Sequence, residues 1–305
     1  MFLESFVLPT EETERRLISE RMYENGGTHG GWISNVYPYR IFPAKSLKEI
    51  WFRNITIFHG SNGSGKSTLL NLIAQKLELK RLAPYNSGEL FQRYAKNCRY
   101  TMCDDEDGGK HRIPDGSRIL TSDDVFEYML ASRTNNNEII NKGEEAKDIH
   151  YELKYGKTIH FRSMADYEKV RLQLLARSRS VNKHEFVLRE VGEEIKLDSN
   201  GETAISFFDT RLKNDTLYCL DEPENSLAPQ MQKELAGILE RMARYCGCQF
   251  IIATHSPFLL ALDGARIHDL NTAPVETKNW WELENTRLYF DFFDKNKALF
   301  QNKQV

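Results

Sequence analysis

The residues best suited to chemistry form a glycine-rich loop over residues 60–68. Its core has the spacing G-x-x-x-x-G-K-S. Glycines let a backbone approach an anion closely, and a helix that follows them points its N–H groups at the same place. The lysine of such a loop can reach β- and γ-phosphates, and the serine hydroxyl can bind Mg²⁺. The loop therefore predicts a nucleoside triphosphate site that includes Ser61, Asn62, Gly63, Ser64, Gly65, Lys66, Ser67 and Thr68.

The sequence on both sides of the loop indicates the elements that hold it. Residues 55–58 form a short apolar run, as in a buried strand, and leucines and isoleucines recur at helical spacing over residues 69–77. A strand, a glycine-rich loop and a helix are the context in which this pattern binds phosphate. An ordinary glycine-rich turn is the alternative.

A pair of acidic residues follows a second predicted strand. Residues 216–220 are apolar and lead directly into Asp221 and Glu222. A carboxylate at the carboxyl end of a parallel strand faces the crevice where open α/β sheets bind ligands. Asp221 is predicted to bind Mg²⁺, and Glu222 to polarise an attacking water as general base. The alternative is an acidic turn that leads into the next helix.

A histidine follows a third predicted strand. A helix is expected over Pro229–Tyr245, then a buried strand over residues 249–254, and then His255. A strand, helix and strand of this length form a parallel crossover unit, which brings His255 to the same sheet edge as Asp221 and Lys66. There it could contact a γ-phosphate or orient the water. A purely structural histidine is the alternative.

The remaining segments indicate one elaborated domain over residues 1–305, with a short amphipathic helix near residues 11–23. Residues 84–118 are polar and rich in turns, which predicts an insertion, and residues 133–198 predict a mainly helical lobe. The C-terminal aromatic residues are expected to pack largely against the sheet, with any exposed remainder forming a partner surface. These are Trp280, Trp281, Tyr289, Phe290, Phe292, Phe293 and Phe300.

The composition is that of an ordinary globular protein. The chain has 305 residues, of which 40% are hydrophobic and 28% charged, and its formal net charge is −3. The five cysteines are scattered, and Cys246 and Cys248 lack a second nearby pair, which argues against zinc and predicts a reduced, cytoplasmic protein. No signal peptide is predicted, and no apolar run approaches the roughly 20 residues of a membrane span.

A basic stretch is the one local feature that suggests nucleic acid. Residues 169–184 contain five basic and no acidic side chains, and they are predicted to lie on a helix with Val170, Leu174 and Leu175 packed inward. Such a stripe could neutralise nucleic-acid phosphates. We favour a solvated helix face, because the whole chain is slightly acidic.

Three motifs together resemble those of the ABC-type ATPase superfamily, and within it the stand-alone SMC-, RecF- and OLD-like ATPases. Residues 60–67 are similar to the Walker A motif, residues 220–227 to Walker B with its D-loop, and residues 253–257 to the segment with the switch histidine. The resemblance implies an α/β P-loop NTPase fold, an ABC-type ATPase head with a mixed sheet flanked by helices and a helical insertion. It covers about residues 45–80 and 195–270.

The resemblance also implies a signature motif that binds the γ-phosphate of ATP held by the opposite subunit. The nearest match is Ser199, Gly201 and Glu202, which could begin a helix whose N-terminus points at phosphate. A helix cap without a ligand is the alternative. The glutamine loop of the family has no counterpart here, and Asp123 stands at the matching position, near the expected Mg²⁺. The adenine-stacking aromatic of the family could be Tyr37, Tyr39 or Phe42.

The function that the resemblance implies is binding and hydrolysis of ATP with Mg²⁺ by a head-to-tail homodimer. Closure of that dimer would drive or gate a partner effector protein or a nucleic-acid transaction, in bacterial defence or DNA repair. The alternative is the nucleotide-binding subunit of a membrane transporter, which the lack of an LSGGQ motif disfavours. A third possibility is a nucleotide sensor with a silent site, which the joint presence of Asp221, Glu222 and His255 disfavours.

Overall fold

The computed structural model describes residues 1–24, 36–85, 87–105, 108–159, 166–178, 183, 185–187, 200–225 and 227–301. Contacts divide the chain into two compact units, Met1–Phe126 with Ala204–Val305, and Glu127–Thr203. The elements in chain order are β1 (Leu3–Val7), α1 (Glu11–Glu24), β2 (Glu49–Trp51), β3 (Ile55–His59), α2 (Lys66–Lys76), α3 (Glu89–Asn97), β4 (Arg99–Met102), β5 (Arg118–Thr121), α4 (Ser122–Tyr155), α5 (Tyr167–Arg177), α6 (Asn200–Arg211), β6 (Leu217–Asp221), α7 (Pro229–Tyr245), β7 (Gln249–Ala253), α8 (Pro257–Leu260), β8 (Arg266–Asp269), β9 (Glu276–Lys278), α9 (Glu284–Lys295) and α10 (Lys297–Gln301).

The larger sheet of the first unit has the strand order β5–β6–β7–β3–β8–β9. All its neighbouring strands pair in parallel, except that β9 runs antiparallel to β8. Strands β3 and β7 are buried along their whole length, as expected of parallel strands covered on both faces. The carboxyl ends of β3, β6 and β7 therefore lie at one edge of the sheet, where the sequence predicts the site.

The predicted elements around the loop are confirmed. Helix α2 begins at Lys66 and buries Leu69, Leu70, Leu72 and Ile73, the residues whose helical spacing predicted it. Strands β6 and β7 match their predicted bounds to within one residue, and α7 matches them at both ends. The mixed sheet with flanking helices confirms the predicted P-loop fold class.

A second, antiparallel sheet has the order β2–β1–β4. The segment predicted as a polar insertion contributes to it, because β4 pairs with β1 and is preceded by α3. Helix α3 buries Phe91, Tyr94 and Ala95, whose spacing places them on one face. The segment from residue 84 to 118 thus contains regular structure that adds to the core of the first unit.

The C-terminal aromatic residues do not pack against the sheet as expected, so that prediction was wrong. In α9 the buried residue is Thr286, just after the buried Leu283, and the helix is therefore anchored near its start. The rings farther along lie in solvent, with Phe290 68% and Phe292 61% exposed. All seven aromatic residues named above are exposed.

The second unit contains most of α4 and all of α5. Ala176 and Phe186 are buried there, with Leu172 and Leu175 packed beside them. Leu174 is 68% exposed, contrary to the prediction that it packs inward. Across the described residues, no helix is both long and apolar enough to cross a membrane.

Candidate nucleotide site

The loop between β3 and α2 has the backbone of a phosphate-binding turn. Gly63 has φ +80° and Gly65 has φ +101°, a region that glycine adopts readily and other residues rarely do. A Cβ added to Gly65 would also lie 3.1 Å from the Ile41 Cγ2 atom. No described side chain caps α2 at Gly65, so the first N–H groups of the helix are open to an anion.

The Lys66 ammonium lies at the centre of the site. The side chain is 4% exposed, and Nζ donates to the Gly60 carbonyl oxygen at 2.8 Å. His255 Nε2 lies 2.6 Å from the same Nζ, and Glu222 Oε1 lies 3.6 Å from it. Burial and the charge of Lys66 lower the pKa of His255, so the ring is neutral at pH 7 and its Nε2 can accept from the ammonium.

Ser67 and Asp221 form the second half of the site. Ser67 Oγ donates to Asp221 Oδ1 at 2.9 Å. The pKa of Asp221 is raised to about 6, mainly by burial and also by the Glu222 charge, although the Ser67 hydrogen bond and the Lys66 charge both act to lower it. The protein compensates the charge of this carboxylate poorly, and a hydroxyl lies beside it. Oxygen atoms of these two kinds are the ligands that Mg²⁺ prefers.

Glu222 follows Asp221 in a backbone conformation that is rare for a residue with a side chain. Its φ is +48°, and its N–H donates to the Ala253 carbonyl oxygen at 2.8 Å. Its Oε2 accepts from Asn225 Nδ2 at 2.9 Å, and its Oε1 lies 3.5 Å from His255 Nε2. Residues held in this region cluster at functional sites, where surrounding bonds maintain them. The end of β7 thus fixes the position of Glu222.

Four predicted loop residues complete the turn. Ser61 and Asn62 are exposed at its tip, and Ser64 Oγ is buried with no hydrogen-bond partner among the described residues. Thr68 Oγ1 accepts from the Tyr37 hydroxyl at 3.1 Å. The unpartnered Ser64 hydroxyl is a further group that a bound phosphate could satisfy.

One of the three candidate aromatic residues lies beside the loop. Tyr39 and Phe42 are buried in the core, whereas Tyr37 is half-buried, next to Thr68, and its ring stacks on Phe91 at 5.8 Å between centroids. Of the three candidates, Tyr37 is therefore the one that lies beside the loop and is partly exposed.

The remaining predicted site residues are Asp123 near β5 and the signature residues Ser199, Gly201 and Glu202. Asp123 is exposed in the first turn of α4, just after β5, whose Thr121 pairs in register with Asp221. Its neighbour Asp124 is the buried acid, and it accepts from the Ala83 and Thr121 N–H groups. In the second unit, Gly201 and Glu202 lie in the first turn of α6; Ser199 lies outside the described residues.

Sequence reasoning missed two residues that hold the site. Asn271 Oδ1 accepts from the Ser61 N–H at 2.8 Å and from its hydroxyl at 3.0 Å. Glu224 Oε1 accepts from the His255 N–H at 2.6 Å. Asn271 was predictable in principle, because it follows a further parallel strand that ends at the same sheet edge.

Comparison with protein families agrees with this geometry. The family model described as "ABC transporter" matches residues 49–225, which is more than half of the chain. The chain belongs to the family of ABC-type ATPases. This ABC-type ATPase also matches, over residues 196–261, the model described as "AAA domain, putative AbiEii toxin, Type IV TA system". The predicted superfamily and the prediction of an ATP-hydrolysing P-loop ATPase are confirmed.

Several solved structures are similar to this ABC-type ATPase. The SMC head domain from Thermotoga maritima is 13% identical over 92% of this chain and 99% of that chain, with a TM-score of 0.42. The Smc head domain from Pyrococcus furiosus, bound to the C-terminal domain of ScpA, is 12% identical over 82% and 95%, with a TM-score of 0.37. A dimeric ATP-binding cassette with ADP and Pi is 12% identical over 76% and 88%, with a TM-score of 0.34. Comparison with curated proteins gives no match.

Proposed function

We propose that this ATPase binds MgATP at residues 60–68 and hydrolyses it within a head-to-tail homodimer. The observation that carries the proposal is the convergence of five side chains at one sheet edge. Lys66 Nζ, Glu222 Oε1 and His255 Nε2 lie within 3.6 Å of one another, and Ser67 contacts Asp221 beside them. These are the groups that phosphoryl transfer to water requires.

Binding would use the open N–H groups of the loop and the Lys66 ammonium. In the free protein the ammonium is held by the Gly60 carbonyl and by His255, and phosphate oxygens would replace these partners. Ser67 and Asp221 would hold Mg²⁺, which when bound neutralises charge on the phosphate oxygens. Tyr37 would stack on the adenine ring, and Asp123 is the further candidate near the metal.

Hydrolysis would depend on Glu222 and His255. Glu222 would accept a proton from the attacking water as general base. His255 is neutral at pH 7, and once Lys66 turns to phosphate its Nε2 would be free to contact the γ-phosphate or to orient the water. The strained backbone of Glu222 would keep its carboxylate at the water.

Dimerisation would complete the site. Ser199, Gly201 and Glu202 of a second copy would close on the γ-phosphate, and the start of α6 at Asn200 supports this, because helix N-termini bind anions.

Closure would drive a partner effector protein or a nucleic-acid transaction in bacterial defence or DNA repair. The match to the family described as a toxin of a type IV system supports a defence role. The exposed aromatic residues of α9 would bind the effector. We also expect the protein to be cytoplasmic.

Nucleic acid has less support than a protein partner. Two of the basic residues that suggested it are engaged within the chain. Arg171 contacts both carboxylate oxygens of Glu168, and Arg177 donates to the Leu153 and Gly156 carbonyl oxygens. A solvated helix face therefore remains the favoured interpretation.

A nucleotide-binding subunit of a membrane transporter is the second candidate. The family model described as "ABC transporter" favours it. The residues at the predicted signature motif depart from LSGGQ, which disfavours this alternative. Co-purification of the protein with an integral membrane protein would support this alternative over the first.

Sizing in the presence of MgATP tests the proposal, with wild type compared with Glu222→Gln. We expect slow ATP hydrolysis by wild type, and loss of about 10²–10⁴-fold in kcat for Glu222→Gln, which should accumulate as an ATP-bound dimer. Glu234→Gln, an exposed glutamate on α7, is the matched control and should behave as wild type. A Glu222→Gln protein that stays monomeric with saturating MgATP would contradict the dimer mechanism.

A further inference from the structure

Glu224 joins the turn after β6 to the segment that carries His255. Its side chain is buried, and Oε1 accepts three hydrogen bonds, from Thr254 Oγ1 at 2.6 Å, His255 N at 2.6 Å and Ser256 N at 3.1 Å. Hydrogen bonds to a carboxylate are roughly twice as strong as those between neutral groups. Glu224 therefore fixes the peptide of His255 relative to the end of β6.

The position of that peptide determines what the His255 ring can reach. Nε2 of the ring lies 2.6 Å from Lys66 Nζ and 3.5 Å from Glu222 Oε1. Glu222 lies on the same turn as Glu224, two residues before it. One short turn thus carries the general base and also holds the backbone of the histidine.

Stability alone does not explain a carboxylate at this position. Glu224 Oε2 is buried and has no partner in the described part of the chain. Burial of a charged group whose second oxygen is unpartnered opposes folding. The three bonds to the other oxygen order a segment of backbone, and the residue at the centre of that segment is His255.

We propose that Glu224 is a positioning residue for ATP hydrolysis. Its carboxylate holds residues 254–256 so that His255 stays in reach of the γ-phosphate and of the water that Glu222 activates. When Lys66 exchanges His255 for phosphate, Glu224 keeps the histidine from moving with the lysine. This role rests on the proposed function of the site.

Three variants test the proposal, because they remove different parts of the arrangement. Glu224→Ala removes all three bonds, Glu224→Gln keeps an accepting oxygen without the charge, and Thr254→Val removes one donor. A displacement of about 1 Å in a catalytic group can lower a rate by about 10²-fold. We expect kcat to fall about 10²-fold in Glu224→Ala and about tenfold in Glu224→Gln and Thr254→Val, with the affinity for mant-ATP within about threefold of wild type.

Glu14→Gln is the matched control, since Glu14 is another buried carboxylate of the first unit. It accepts from the Tyr94 hydroxyl at 2.8 Å and from the Arg40 N–H at 2.7 Å, outside the nucleotide site. We expect Glu14→Gln to lower Tm and to leave the kcat of the folded protein unchanged. Glu224 variants that also lower Tm without lowering kcat would overturn the positioning role.

Wild type and Glu222→Gln separate this inference from the function on which it rests. If wild type does not hydrolyse ATP, the proposed function fails, and the role of Glu224 with it. If wild type is active and Glu222→Gln is not, but Glu224→Ala keeps kcat within about twofold, only the positioning role is overturned. If Glu224→Ala does not fold, Glu224→Gln and Thr254→Val decide by the same criterion.

Discussion

Asp221, the proposed Mg²⁺ ligand, carries a charge that opposes the stability of the free protein. Its carboxylate is half-buried beside Glu222, and desolvation is the main reason that its pKa rises to about 6. Ser67 and Lys66 compensate this charge only in part. A site that leaves a charge under-compensated in the free protein favours a cation that completes the compensation. The electrostatic cost and the proposed binding of Mg²⁺ would thus both result from the position of this one carboxylate.

Asp221→Asn should therefore stabilise the free protein. The folded-state pKa lies above the usual value of 3.8, so the folded protein holds the proton more tightly than the unfolded chain, and the free energy of unfolding falls as pH rises through about 6. Asparagine keeps an acceptor for Ser67 without the charge. We expect it to raise the free energy of unfolding by roughly 1–3 kcal/mol near pH 7.5, and by less near pH 4.5.

Chemical denaturation at several pH values without Mg²⁺ measures this effect. Asp209→Asn, an exposed aspartate on α6, is the control and should show little change at either pH. Equal stability of Asp221→Asn and wild type at neutral pH would contradict the claim that the Asp221 charge destabilises the folded protein. The same variant should lose ATP hydrolysis, because a neutral amide is a poorer ligand for Mg²⁺.

At the scale of elements, the glycine-rich loop depends on backbone conformations that other residues rarely adopt. Gly63 has φ +80°, and a Cβ there would meet no atom within 4 Å. The requirement for glycine at this position is therefore one of conformation and not of space. Gly65, in contrast, faces Ile41 closely as well as having a positive φ. The two positions separate the two reasons for glycine in such a loop.

Gly63→Ala should destabilise the protein by about 1–2 kcal/mol, which is the penalty of the left-handed region for an L-residue. Gly237→Ala provides the matched control, because Gly237 lies inside α7 and its added Cβ would come near only the flexible Arg241 side chain. That variant should gain about 0.5–1 kcal/mol. Denaturant midpoints measure both, and the same sign for the two changes would contradict the explanation.

Gln249 links the two sheets of the first unit. Its side chain is fully buried, and its Oε1 accepts from the Phe2 and Leu3 N–H groups while Nε2 donates to the Leu3 carbonyl oxygen. Strand β7 thereby fixes the start of β1. The single buried amide of Gln249 thus provides hydrogen-bond partners for the N–H groups of Phe2 and Leu3 and for the Leu3 carbonyl oxygen.

Gln249→Leu should therefore lower the free energy of unfolding by about 2–5 kcal/mol, since it leaves several buried backbone groups unpaired. Gln230→Leu, at an exposed position of α7, is the control and should change it by less than about 0.5 kcal/mol. Thermal unfolding of both variants tests this. A Gln249→Leu protein as stable as the control would show that β1 does not depend on the amide.

Local patterns predicted the elements and the strand-end residues of this site, and long-range contacts determined the rest. Lys66 begins a helix, Asp221 ends a strand and His255 lies just beyond one, so topology alone brings them together. Glu224 contacts residues about 30 positions away, and its sequence context indicates only an acidic turn. Composition alone predicts burial of the C-terminal aromatic residues, but it does not show whether another element covers the helix that carries them.

At the scale of the whole molecule, two surfaces are proposed to bind other proteins: the exposed aromatic residues and the shared nucleotide site. The exposed rings of Phe292, Phe293 and Phe300 contact one another, and exposed apolar surface of this kind marks interaction sites. The nucleotide site is a different case, because its proposed partner is a second copy that supplies Gly201. Two surfaces with different chemistry can be tested separately, since variants of one leave the other intact.

Mixing two inactive variants tests the shared site directly. Lys66→Ala disables the loop of its own chain, and Gly201→Asp disables the residues that would act on the partner's ATP. In a head-to-tail dimer, one site of a mixed dimer would carry both changes and the other site neither. We therefore expect each variant alone to be inactive, and an equal mixture to recover about a quarter of the wild-type rate. Recovery should grow with protein concentration, because mixed dimers must form first. An inactive mixture that still forms dimers with MgATP would contradict contribution of Gly201 in trans, and activity of Gly201→Asp alone would show that the site does not need it.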